Sequence, residues 1–143
     1  MLRQVFFLFG ALLISTSGVM ACSCGPILSP EHHIESSEYV FLGIAGATIQ
    51  NTNQKNPYEP SKVTEFEIID LLKGAAASKI NIYHDQPDGG NCGVSFISGE
   101  KHRIFAGKYL GYLYTSECDL SRPDVSEIGW PWSYYRKAVG KAD

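Results

Sequence analysis

The stretch GVMACSCGP, residues 18–26, limits most strongly what this chain can become, because two of its four cysteines, Cys22 and Cys24, stand one residue apart in it. What precedes them reads as disposable. Residues 1–21 carry one cation, Arg3, then the apolar run VFFLFGALLI, then small and polar residues ending in Val19, Met20 and Ala21, which is the layout of a secretory signal peptide. That run is far short of the roughly 20 apolar residues a spanning helix needs, and nothing later reads as a membrane span. Cleavage after Ala21 is therefore expected, leaving residues 22–143 as a single secreted or periplasmic domain that begins with Cys22. VMAC also approximates a lipoprotein cleavage box, in which Cys22 would be lipidated and the protein lipid-anchored. Met20 fits that box poorly, and lipidation would leave three thiols where an exported chain favours an even number for pairing.

Charge narrows the partners. Removing the leader takes away one of 12 basic groups and none of the 15 acidic ones, so the mature chain is more negative than the net −3 of the whole. This disfavours a nucleic-acid or anionic-membrane partner. A chain of this length suits one domain with a modest core that disulfides would help to stabilise.

Along the mature chain, Ser29 can cap a short helix that starts at Pro30 and runs through EHHIESS. EYVFLGIAGATI, residues 38–49, reads as a strand interrupted at Gly43 and Gly46, where a small barrel could bend or bulge. QNTNQKNPYEP is a polar loop. KVTEFEIIDLLKG alternates Val63, Glu65 and Glu67 with Thr64, Phe66 and Ile68 and reads as a long strand. KINIYH, HRIFAGKYL and GYLYTSEC give three more, QPDGGNCG is a turn-rich connection holding Cys92, and WPWSYYRKAV closes the chain as a helix. The class is mainly β: five strands in a small OB-like barrel with short flanking helices, a sandwich being the alternative.

No catalytic constellation emerges, and the chain is not expected to be an enzyme. Glu31, His32, His33 and Glu35 lack the i, i+4 histidine pair of a zinc-hydrolase helix and read as a solvated first helix. His84 and His102 are isolated in sequence. There is no Gly-x-Ser-x-Gly elbow, and paired cysteines supply no nucleophile. Tyr109, Tyr112, Tyr114, Trp130, Trp132, Tyr134 and Tyr135 suit core and barrel-end plugs, or a carbohydrate or partner platform.

Cys22 and Cys24 can both lie on one side of an extended segment, so two bridges there would pin the mature amino terminus, normally the most mobile part of a domain. An α-amine and the carbonyl of the same residue form a five-membered chelate, and a catalytic zinc with three protein ligands and a displaceable water has room for it. The bridges could equally be plain staples of a small secreted fold. Four cysteines allow three pairings.

These features resemble the inhibitory domain of the tissue inhibitors of metalloproteinases, a netrin-like fold. The matching stretches are CSC at the mature start, EFEIIDLLKG, CGVSFISGEKHRIFAGK and SEC, and they span Cys22 to about Trp132. The resemblance implies bridges Cys22–Cys92 and Cys24–Cys118, each closing a long loop and worth on the order of 2–5 kcal/mol. It implies that Cys22 gives its amine and carbonyl to the zinc of a target metallopeptidase, the protein itself needing no cofactor and acting as a monomer. Ser23 would enter the target's primary specificity pocket. Cys24, Gly25 and Pro26 would continue the inhibitory edge, and Asn91, Cys92 and Gly93 would form its other half. Two departures stand out: the family's third bridge has no cysteines here, and its second domain is missing. Other netrin-like modules bind partners without inhibiting them, so a non-inhibitory binding module is the alternative function.

Overall fold

A computed structural model describes residues 22–88 and 90–141. The expected signal peptide, residues 1–21, lies outside them. No helix among the described residues is long and apolar enough to cross a membrane.

The elements run α1 (Pro30–Ser36), β1 (Tyr39–Gln50), β2 (Lys62–Lys73), β3 (Lys79–His84), β4 (Lys101–Tyr109), β5 (Tyr112–Tyr114), a 3-10 turn (Glu117–Asp119), β6 (Arg122–Pro123) and α2 (Trp132–Ala138). They form one mainly β, six-stranded sheet in the order β1-β2-β3-β5-β4-β6, and an additional β1–β4 pairing closes five of the strands into a barrel-like ring. The expected ring of five strands with short flanking helices is present. One edge strand was not anticipated: β6 is two residues long, too short for any periodicity, and pairs with β4 through His102↔Pro123 and Arg103↔Arg122. The fifth strand is also shorter than GYLYTSEC suggested, because after Tyr114 the chain turns into the segment that carries Cys118.

The sequence alternation explains why the ring closes around a core. In β2, Thr64 and Phe66 are buried while Glu65 and Glu67 face solvent, as a strand with one wet face requires. In β1, Val40, Phe41 and Leu42 are all buried. Phe41 and Ala45 join Phe66, Ile82, Val94, Phe96, Ile104 and Ala106 inside the ring. Val40 and Leu42 instead face outward under the helices, with Ile34, Phe105, Leu120, Trp132 and Tyr135. Each such large apolar side chain contributes about 1.5–3 kcal/mol by burial. The β1–β2 register slips between Leu42 and Gly43 and again between Ala45 and Thr48, where the glycines suggested a bend. Gly43 is needed there: a Cβ would lie 2.9 Å from both the Glu67 carbonyl oxygen and the Phe41 ring.

The helices are tied down at defined points. The Ser29 hydroxyl accepts from His32 N–H at 3.4 Å, and Pro30 occupies the first turn. Trp132 Nε1, Arg136 Nη1 and Lys141 Nζ all reach the Asp70 carboxylate on β2, at 3.0, 2.5 and 3.2 Å. Partial burial pushes that carboxyl up, but the bonds from Trp132, Arg136 and Lys141 outweigh it and hold it below its ordinary range. Of the aromatic residues, Trp132 and Tyr135 are core, whereas Tyr109, Trp130 and Tyr134 are exposed.

Candidate functional site

Two disulfides gather three distant parts of the chain at one end of the ring. Cys22 is bridged to Cys92 and Cys24 to Cys118, each with a Cα–Cα distance of 5.1 Å, within the usual span of a disulfide. This is the pairing the resemblance implied. The four sulfurs form one cluster: Cys22 Sγ lies 3.8 Å from Cys24 Sγ and 3.5 Å from Cys118 Sγ, and Cys118 Sγ lies 3.8 Å from Cys92 Sγ. Oxidised sulfurs have no proton to donate, so these are van der Waals contacts between neighbouring bridges. For the same reason the grouping of Cys22, Cys24 and Cys118 offers no thiolate to a metal.

The segment between the bridges and α1 is held by its ends and open along its length. Ser23, Cys24, Gly25 and Pro26 are exposed, as are Ile27 at 51% and Leu28 at 42%. Among the described residues, none forms a hydrogen bond with the backbone of residues 23–27. A segment without helix or strand whose peptide groups face solvent is normally mobile. Here one end is fixed covalently, and the other at Leu28.

The loop bearing Cys92 is shaped by its own side chains. Asp88 Oδ1 accepts from the N–H groups of Gly90 and Asn91 at 2.8 and 2.9 Å. Asn91 Oδ1 accepts from Gly93 N–H at 3.1 Å, and its amide donates to the Gln86 carbonyl at 3.1 Å. The side chain of Asn91 thus faces its own loop. Gly93 is buried, and a Cβ there would meet the backbone of Asp85, Gln86 and Pro87 at 2.6–2.7 Å. Val94 N–H donates to the Asp85 carbonyl and Glu117 N–H to the Cys92 carbonyl, both at 2.9 Å, so the Cys92 and Cys118 loops are joined by hydrogen bonding as well as through the sulfur cluster. Cys118 sits in the 3-10 turn, whose entry is fastened by Ser116 N–H and hydroxyl donating to Asp119 Oδ2 at 2.7 Å.

The bridges join the half-buried Cys22 to the loop that carries Asn91, Cys92 and Gly93, and Cys24 to the Cys118 turn, while Ser23, Cys24, Gly25 and Pro26 lie exposed. The structure also adds residues that sequence reasoning missed. His33, read as part of a solvated helix, is half-buried, packs edge-on against Phe105 at 6.2 Å and accepts from Leu28 N–H through Nε2 at 3.2 Å. Burial first, and then the neighbouring His32, hold it below the ordinary histidine value. Trp130 Nε1 donates to the Leu28 carbonyl at 3.0 Å across 102 residues of sequence. No family model matches the chain, and no curated protein matches its sequence.

Proposed function

We propose that the mature protein inhibits zinc metallopeptidases by laying its amino-terminal edge in their active-site cleft. The observation that carries this reading is the combination at residues 22–27: two bridges one residue apart, anchored in two different loops, hold an exposed segment whose peptide groups are free to pair with another chain. Segments of that kind bind by adding a strand to a partner's edge. Rigidity matters because ordering a flexible terminus on binding would consume much of the interaction energy.

Export and removal of residues 1–21 place a free α-amine on Cys22. That amine and the Cys22 carbonyl oxygen would chelate the target's catalytic zinc in place of its water, which removes the nucleophile of hydrolysis. Ser23, the one side chain between the two bridged cysteines, points to the specificity pocket; its small hydroxyl enters many pockets and fills none. Replacing it redistributes affinity among peptidases by about 1–3 kcal/mol, the scale of one pocket contact.

The chelate requires a neutral amine. A free α-amine has a pKa of about 7.7–8.0, so binding takes up the neutral form and weakens as the solution is acidified below that range. The deciding experiment compares correctly cleaved protein with protein acetylated on Cys22 and protein retaining Ala21, assaying inhibition of a panel of zinc metallopeptidases. Both modifications turn the amine into an amide and should abolish inhibition with both disulfides intact. Equal potency of all three would sink chelation, and no inhibition by any of them would leave a non-inhibitory binding module.

A further inference from the structure

Leu28 is the point where the open edge ends, and both of its backbone polar groups are held by side chains from other parts of the fold. Its N–H donates to His33 Nε2 at 3.2 Å, from α1. Its carbonyl accepts from Trp130 Nε1 at 3.0 Å, from the segment that leads into α2. Neither partner is loose. His33 packs against Phe105. Trp130 stacks on Tyr134, with ring centroids 5.5 Å apart, and its main-chain N–H donates to the Tyr135 hydroxyl at 3.4 Å. The Trp130 carbonyl accepts from the buried Arg103. The second nitrogen of that guanidinium reaches the carbonyls of Ser126, Ile128 and Pro123 at 2.8, 3.2 and 3.4 Å, gathering the whole segment.

We infer that His33 and Trp130 are positioning residues of the edge, forming through Leu28 a second anchor opposite the Cys24–Cys118 bridge. Residues 25–27 then run between two fixed points, one covalent and one hydrogen-bonded, and hold one conformation before any partner arrives. Gly25 makes the need plain. No atom would lie within 4 Å of a Cβ there, so packing does not restrain it, and glycine is the most conformationally free residue. Its order must come from the two ends. The inference rests on the reading of residues 22–27 as a binding edge, and what it adds is which residues outside that edge determine its shape.

The test uses mature protein with Trp130→Phe, which keeps the stacking on Tyr134 but removes the indole N–H, and His33→Leu, which removes the acceptor. His33→Gln, whose side-chain oxygen can still accept, serves as the rescue. Two quantities are measured: amide exchange at Leu28 by NMR, and inhibition of a zinc metallopeptidase. Loss of either anchor bond should raise exchange at Leu28 by about tenfold or more, the response of an opened segment in an otherwise folded protein. It should weaken inhibition by about tenfold through lost preorganisation, with both disulfides and the melting temperature near those of the parent. His33→Gln should restore both quantities. Unchanged exchange would overturn the anchor, and raised exchange with undiminished inhibition would overturn its role in binding. If the parent protein inhibits nothing, the inhibitor reading fails, while the exchange measurement alone still confirms or overturns the anchor.

Discussion

Two surface segments of this protein lack regular structure and are ordered by opposite means. The loop joining β1 to β2 is knit by its own polar groups. Asn51 donates to the Pro60 carbonyl at 2.8 Å and accepts from Asn53 N–H at 3.1 Å. Glu59 accepts from Lys55 N–H, the Asn56 amide and the Tyr112 hydroxyl at 2.8–2.9 Å. The segment from Ser23 to Ile27 has none of this, and its order comes from two disulfides and the hold on Leu28. A loop that satisfies its own backbone presents little for another chain to pair with, whereas a segment that binds by its backbone must leave those groups free. Its rigidity then has to be imposed from outside, and a covalent bridge does that without occupying a single peptide group.

Removing that bridge should have the largest effect. The double change Cys24→Ser, Cys118→Ser opens a loop with a sequence separation of 94 residues and should cost about 2–5 kcal/mol in unfolding free energy. Denaturant titration measures the cost, and backbone NMR order parameters should fall at the amides of residues 23–25 and 27 while those of the β1–β2 loop stay unchanged. Equal loosening of both segments would mean that the bridge acts on the fold at large rather than on the edge.

Gly93→Ala comes next. A Cβ at that position meets only backbone atoms, at 2.6–2.7 Å, so the Cys92 loop must shift, at a cost of about 1–3 kcal/mol typical of overpacking. Inhibition should fall with stability, because Cys22 moves with Cys92. Full potency at reduced stability would show that the loop's position does not reach the edge.

Asn51→Ala reverses the pattern. It leaves the carbonyl of the buried Pro60 and the N–H of the exposed Asn53 without their bonds and should cost about 1–3 kcal/mol, mostly from the first, with potency unchanged, since nothing at the edge depends on that loop. A parallel loss of potency would break the separation between the two segments.

Acid should separate them with the mildest effect. The bond from Lys55 N–H, aided by that from Tyr112, holds Glu59 below the ordinary glutamate value of 4.5. Its contribution is therefore complete above pH 4.5 and is lost as pH falls through its lower folded value. His33, faced by His32 and Asp119 and held below 6.5 mainly by burial, accepts from Leu28 only while neutral. Its contribution is complete above pH 6.5 and fades below it as the ring takes up a proton. Between these limits NMR signals of Leu28 should shift before those of Asn53 and Tyr112. The reverse order would place the weaker anchor in the loop.

The strands were legible because their signals are local. Thr64, Glu65, Phe66 and Glu67 alternate within four residues, and Ser29 followed by Pro30 marks a helix start by chemistry that needs no distant partner. His33 was misread for the complementary reason: nothing nearby in sequence says that Phe105 lies against its ring or that Leu28 turns its N–H toward it. Arg103 likewise looked like an ordinary strand residue, although it is buried and binds main-chain carbonyls 20–27 positions away.

By itself the sequence determined that this would be a mainly β chain with four pairable cysteines, two of them beside the expected start of the mature protein. Side-chain periodicity and residue chemistry are carried by neighbours, and they survive any arrangement of the rest. Only the tertiary structure decided how the ring closes, through the parallel pairing of Tyr83 with Tyr114 and the antiparallel pairing of β1 with β4. It alone brought Trp130 to Leu28 across 102 residues. Such contacts exist only once the ring has closed and the outer core has seated both helices, because no local preference of either residue encodes the distance between them.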